Sequence, residues 1–228
     1  MRCSKCKQEG HNVRSCKNNI VISVPKKCTK ITIKPIMSQT IADIHEKLLP
    51  IIGKEFTLPK TKNKGLPGLF LEECLGIPHT SNCLDCNDGE LKLFPVKKLK
   101  KGDIVPKETI AVTMLSTEDL KKCEFAETNC YKKLNKMLVV PYYRTGNIIR
   151  FLPPKLIERT APEFANIYTI IDTDYKLIRA NYIESGRLES KIGTLLQTRP
   201  KGTGHGSTSR AFYLRPEFMK QCFTTFTL

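Results

Sequence analysis

One short stretch constrains this chain more than any other: Asp85, a Cys86-Asn87-Asp88-Gly89 turn, then Glu90-Leu91-Lys92. Side chains on a β-strand alternate between faces. A strand through 90–92 therefore points Glu90 and Lys92 the same way and sends Leu91 into a core. The turn is long enough to return the Asp85 carboxylate to the same end of the sheet. Two carboxylates at one strand end suit Mg²⁺, a hard cation that takes oxygen ligands and binds phosphate. Lys92 beside them is placed to orient or deprotonate an attacking water.

Charge fixes the class of partner. Lys and Arg number 38 against 22 acids, a formal net charge of +16 in 228 residues. A surplus of this size also serves solubility, but its commonest reason is a polyanion, above all nucleic acid. No N-terminal apolar run has the form of a signal peptide, and no apolar stretch is long enough to span a bilayer. The ten cysteines then read as metal ligands and reduced core thiols rather than a disulfide scaffold. The expectation is an intracellular protein with no membrane contact, one core domain and a small appendage.

The appendage is the N-terminus. Cys3-x2-Cys6-x4-His11-x4-Cys16 offers three thiolates and an imidazole at a spacing that closes tetrahedrally around Zn²⁺. A segment this short has no core, so the metal would supply its folding free energy. The pattern resembles the CCHC zinc knuckle of proteins that bind single-stranded nucleic acid, with Lys5, Lys7, Arg14 and Lys17 facing phosphates. Aromatic residues for base stacking are absent from it, so docking to another protein is the other reading. The expected domains are the knuckle at 1–18, a linker and lead-in at 19–40, and the main domain at 41–228. Ile20-Val21-Ile22 and Ile31-Thr32-Ile33 are short strand candidates within the lead-in.

The main domain reads as α/β. Thr40 is placed to cap a helix from Ile41, which Pro50 and Gly53 end; His45 on it reads as a surface or filler residue rather than a catalytic one. Pro67 suits the first turn of a helix through Leu69, Phe70, Leu71 and Glu72, and Gly76 suits its end. Lys97-Lys98-Leu99-Lys100-Lys101 is a basic turn, solvated or in contact with phosphate. A buried strand is expected at 109–115. Ser116 then caps a helix running through Leu120, Phe125 and Leu134. Strands at 138–143 and 148–151 turn at Gly146-Asn147, and Pro162 opens a helix containing Phe164, Ile167, Ile170 and Ile171. Together these predict a mixed β-sheet flanked by helices.

Two blocks of this sequence carry a family resemblance. Lys64-Gly65-x2-Gly68-x2-Leu71-Glu72, followed by Asp85 and Gly89-Glu90-Leu91-Lys92-x2-Pro95, resembles the MutH-like DNA endonucleases. That family holds a mismatch-repair enzyme and restriction enzymes that cut at GATC, within the PD-(D/E)xK nucleases. The resemblance implies a restriction-endonuclease-like fold. It also implies a catalytic group of Glu72, Asp85, Glu90 and Lys92, with Lys64 near the DNA. The interval from the aspartate to the Glu-x-Lys pair is shorter here than the family usually has. Asp88 therefore competes with Asp85 for the metal; its place in the turn directly beside Glu90 favours Asp85.

The second block is Leu196-Gln197-x-Arg199-Pro200-Lys201, then Arg210-x-Phe212-Tyr213-Leu214, separated by a glycine-rich basic loop. Small residues let backbone approach DNA closely, and an arginine can contact guanine through two hydrogen bonds. A flexible surface loop is the bland alternative. In the resembled family this block reads GATC, and its tyrosine is associated with adenine and its methylation; Arg199, Pro200, Lys201 and Tyr213 match. The implied protein is a Mg²⁺-dependent endonuclease on double-stranded DNA, monomeric or transiently dimeric on its substrate. The knuckle adds single-stranded nucleic acid as a second partner. The expected setting is restriction. A mismatch-repair nickase and a non-catalytic nucleic-acid binder led by the knuckle are the alternatives. Cys74, His79, Cys83 and Cys86 form a further cluster, read either as a second zinc site stapling the Asp85 loop or as thiols near each other by chance.

Overall fold

The computed structural model describes residues 39–60, 63–78, 82–201, 209–223 and 226, all within the larger of two compact units, Ile33–Leu228. The knuckle ligands Cys3, Cys6, His11 and Cys16, the strand candidates at 20–22 and 31–33, and His79 lie outside the described residues.

The stretch from Glu90 forms β2 (Glu90–Lys98), which runs parallel to β5 (Lys136–Thr145) with Glu90 opposite Met137 and Val96 opposite Tyr143. These two strands are the middle of a six-stranded sheet. Its order is β1 (Glu55–Thr57), β6 (Ile148–Phe151), β5, β2, β3 (Ile104–Pro106), with β7 (Lys155–Glu158) also on β5. All its other pairs are antiparallel, so the sheet is mixed, as expected. The strand expected at 109–115 does not join it. As β4 (Ala111–Met114) it belongs to a separate three-stranded antiparallel sheet, β4-β9-β8, with β8 at Leu196–Pro200 and β9 at Arg210–Leu214.

Strand alternation gives each face of the main sheet its own core. Leu91, Leu138 and Val140 pack with α1 (Ile41–Leu48) and α2 (Leu66–Leu75). Phe94, Val96, Met137 and Val139 point the other way, into a core shared with α5 (Ala165–Ser185) and with Leu196, Phe212 and Leu214 of the small sheet. Glu90 and Lys92 have the parity of Phe94, so their side chains leave the sheet on the α5 side.

Local chemistry accounts for the helix ends. Thr40 and Asp43 form a reciprocal capping box at the start of α1. Pro67 sits in the first turn of α2, and Gly76 ends it at φ 69°. The single helix expected through Leu120, Phe125 and Leu134 is instead three pieces: α3 (Thr117–Lys122), a 3-10 turn at Phe125–Glu127 and α4 (Asn129–Asn135). Cys123 and Glu124 are extended between α3 and the 3-10 turn, and Thr128 is extended before α4, where its hydroxyl accepts the Tyr131 N–H as a fresh N-cap. The break lets Phe125 stack on Tyr175 of α5 at 4.3 Å between ring centroids. It also re-aims α4, which runs straight into β5.

The Asp85–Glu90 turn is tightly seated. Asn87 N–H donates to Gln39 O at 2.9 Å, and Cys86 N–H donates to Gly89 O at 3.0 Å. A Cβ on Gly89 would lie 2.6 Å from Ile41 Cγ1 and 2.7 Å from Lys136 O. Gly89→Ala is therefore expected to cost about 2 kcal/mol through overpacking, lowering the calorimetric midpoint by roughly 4–8 °C. An unchanged midpoint would show that the turn yields without cost.

Candidate active site

Glu90 opens β2 and is 1% exposed. A carboxylate buried to that degree must be paired or hydrogen-bonded, and both oxygens are engaged. Oε1 accepts from Lys92 Nζ at 2.6 Å and from Lys133 Nζ at 2.5 Å. Oε2 accepts the Asp85 N–H at 3.3 Å, and Asp85 Oδ2 in return accepts the Leu91 N–H at 3.1 Å. These reciprocal bonds fold the short turn back, so that the two carboxyl groups sit side by side next to two ammonium groups. The sequence alone brings Asp85, Glu90 and Lys92 together; Lys133 enters only through the fold.

Electrostatics distinguishes the two aspartates of the turn. Burial, and next the negative charge of Glu90, push the Asp85 carboxyl above the usual carboxylate range, with Lys92, Lys133 and the Leu91 amide opposing in part. Asp88 is otherwise occupied. Its Oδ1 accepts the Ile41 N–H at 2.7 Å at the start of α1, and its Oδ2 accepts Lys136 Nζ at 2.7 Å. Burial works against its ionisation, but the bonds from Lys136 and Ile41 outweigh that and hold its carboxyl below the usual range. Asp88 thus anchors α1 to β5, while Asp85 faces Glu90.

The other expected site residues stand in two places. Glu72 is half-buried on α2. That helix is fixed by Leu66, Phe70, Leu71 and Leu75 against the core of Leu91, Leu138 and Val140, on the opposite sheet face from the Glu90 and Lys92 side chains. Lys64 is exposed in the turn before α2. The second place is the β8–β9 hairpin, where Arg199 pairs with Ala211, Pro200 with Arg210, and Gln197 with Tyr213. The Arg199 guanidinium lies 5.2 Å above the Tyr213 ring. Lys201 N–H donates to Ser209 O at 2.9 Å, continuing the ladder past the strand ends. Arg199, Pro200 and Lys201 are all exposed, so the hairpin presents a cationic end supported by an aromatic face.

Among the described residues, no three Cys, His, Asp or Glu side chains come together in a group that could hold a metal ion. Glu72 therefore does not complete a triad with Asp85 and Glu90. Nor do Cys74, Cys83 and Cys86 gather as a zinc site. Cys86 is buried beside Leu91 and α1, its thiol pushed up to about 12 by burial and by Asp85, while the Cys83 thiol donates to Asn129 Oδ1 at 3.3 Å on α4. Core packing and α4 draw these thiols to different partners. The Asp85–Glu90 pair does suit Mg²⁺, which commonly takes one or two protein carboxylates and fills its remaining positions with water and substrate phosphate. The like-charge repulsion evident at Asp85 is what a divalent cation would relieve.

A family model described as DNA mismatch repair enzyme MutH matches residues 81–178. The matched segment holds Asp85, Glu90, Lys92 and Lys133, and stops before the β8–β9 hairpin. A search of curated proteins finds none that matches at significant similarity.

Proposed function

We propose that this chain, whose residues 81–178 match the MutH family model, is a MutH-like, Mg²⁺-dependent endonuclease on double-stranded DNA, selective for GATC or a near variant. The observation that carries the reading is the buried Glu90, held by Lys92 and Lys133 and set against Asp85. Asp85 and Glu90 would hold the ion. When bound, Mg²⁺ supplies charge neutralisation at the phosphoryl oxygens and lowers the pKa of its water. Lys92 orients the attacking water or takes its proton. Lys133 shares the neutralisation of Glu90 and keeps its carboxylate in place when Lys92 turns to substrate. Attack on phosphorus with departure of the 3′ oxygen leaves a 5′-phosphate and a 3′-hydroxyl. Arg199 and Lys201 contact base edges and phosphates, and Tyr213 supports Arg199 and meets the adenine. Lys64 lies along the DNA backbone. The Cys3, Cys6, His11 and Cys16 spacing would suit Zn²⁺ and, with it, a single-stranded nucleic-acid partner.

A plasmid assay tests this. Plasmids carrying GATC, unmethylated, half-methylated and fully methylated, are incubated with Mg²⁺ or with EDTA, and nicked and linear products are scored. The expected result is cutting that requires Mg²⁺ and GATC. Nicks alone on half-methylated DNA would favour a repair role, and linear product a restriction role. Arg199→Ala is expected to lower the preference for GATC over a one-base variant by about 10–100-fold, the worth of one bidentate base contact. Cutting that ignores GATC would remove the sequence assignment. Binding without cutting, under any divalent cation, would leave a non-catalytic nucleic-acid binder.

A further inference from the structure

α5 carries a buried acid that the catalytic reading leaves unused. Asp174 is 2% exposed. Its Oδ1 accepts the Thr194 N–H at 2.7 Å, and its Oδ2 accepts the N–H groups of Leu195 at 2.6 Å and Leu196 at 2.8 Å. Three consecutive backbone amides thus close around one carboxylate. A buried charge compensated in this way fixes position, because each bond is directional and each loss is costly. Gly193 makes the wrap possible. It stands at φ +88°, and a Cβ there would lie 2.0 Å from Leu196 O and 3.2 Å from Asp174 Cγ.

The clamp sits at the root of the β8–β9 hairpin. Leu196 is the first residue of β8, with Arg199 three residues on. The returning strand is tied at the same point, where Arg215 N–H donates to Leu195 O at 2.7 Å. The Arg215 guanidinium reaches back to Ile192 O at 3.1 Å. On its other side α5 is locked into the main core: Tyr168, Ile171 and Tyr175 belong to the cluster that holds Phe94, Met137 and Val139. One packed path therefore runs from the strand bearing Glu90, through α5 and Asp174, to the hairpin bearing Arg199.

We propose that Asp174 is a positioning residue that clamps the hairpin root to α5 and so sets where Arg199, Lys201 and Tyr213 meet the DNA relative to Glu90. This rests on the endonuclease reading above. The residue touches neither metal nor substrate. It acts by removing slack at the base of a lever, where a displacement of about 1 Å at the reading end can cost on the order of a hundredfold.

The test compares wild type with Asp174→Asn and Gly193→Ala in the full chain. Asparagine keeps the shape, but replaces one acceptor oxygen with a donor facing an amide N–H. Alanine spares the carboxylate and disturbs the wrap. Three quantities are measured: kcat and KM on a GATC duplex, the kcat/KM ratio of that duplex to a one-base variant, and amide hydrogen exchange by segment. Both variants are expected to lower the ratio at least tenfold, mainly through KM, with faster exchange in 195–200 and 210–214 and unchanged exchange in 90–98 and 136–145. Unaltered selectivity in two folded variants, under a selective wild type, overturns the role of Asp174 alone. Exchange that quickens equally in the main sheet, with kcat falling and KM held, also overturns it, since Asp174 would then be a general stability residue. A wild type that cuts all duplexes alike instead defeats the base-reading assignment of Arg199 and Lys201, and the positioning role falls with it.

Discussion

Glu90→Gln is expected to lower Mg²⁺-dependent cleavage by about 10³-fold or more while the chain still folds. Glutamine keeps the volume and one acceptor oxygen for the two lysines, but removes the charge that would hold the metal. Alanine is the poorer test. It would strand the Lys92 and Lys133 ammonium groups, 17% and 16% exposed, without their shared partner, and breaking a buried pair from one side costs about 3–5 kcal/mol. Lost activity could then reflect lost structure. The lysines are expected to separate by role. Lys92→Met removes the group beside the attacking water and should cost about 10²–10⁴-fold, the range of general acid–base catalysis. Lys133→Met leaves Lys92 to neutralise Glu90 alone, so Lys92 is less available to water and a smaller loss of about 10–100-fold follows. Single-turnover cleavage of a GATC duplex at saturating enzyme reads all three. Equal rates for wild type and Glu90→Gln would remove the catalytic assignment.

How much of this was legible in the sequence follows from how local each cause is. Alternation along a strand is local, so Glu90 and Lys92 could be placed on one face from the residues alone. The caps of α1 and α2 are local too, and Thr40, Pro67 and Gly76 act as read. The apolar spacing through Leu120, Phe125 and Leu134 favours an unbroken helix. The Thr128 cap and the packing of Phe125 on Tyr175 together decide for the break. Lys133 lies 43 residues from Glu90 in the chain. It reaches Glu90 because α4 runs directly into β5, and β5 pairs in parallel with β2. No spacing rule encodes that pairing, and in the sequence Lys132-Lys133 looks like solvated charge. The choice between Asp85 and Asp88 was open for a similar reason: the partners that occupy Asp88, Ile41 and Lys136, are 47 and 48 residues away. The clamp at Asp174 is hidden because its partners are backbone amides, which carry no side-chain signal.

Asp85→Asn is expected to abolish cleavage and, in EDTA at neutral pH, to make the protein more stable than wild type. The folded-state pKa of Asp85 is raised, first by burial and then by Glu90, so the folded chain binds that proton more tightly than the unfolded chain does. By linkage, such a group contributes its full stability only below the unfolded value and loses it as pH rises through the folded one. At neutral pH an ionised Asp85 is therefore a net cost, which asparagine removes while keeping an acceptor for the Leu91 N–H. The advantage should shrink as pH falls through the window between the raised pKa and the ordinary aspartate value, because wild-type Asp85 protonates there. Magnesium should act in the opposite sense. At about a hundred times its dissociation constant it adds about 2.7 kcal/mol to the wild type, a rise of roughly 5–10 °C in midpoint for a domain of this size, and little to Asp85→Asn. Calorimetry at two pH values, in EDTA and in Mg²⁺, reads both effects. A variant less stable than wild type in EDTA, with an equal response to magnesium, would mean that Asp85 is a structural acid like Asp88 and that the metal is held elsewhere.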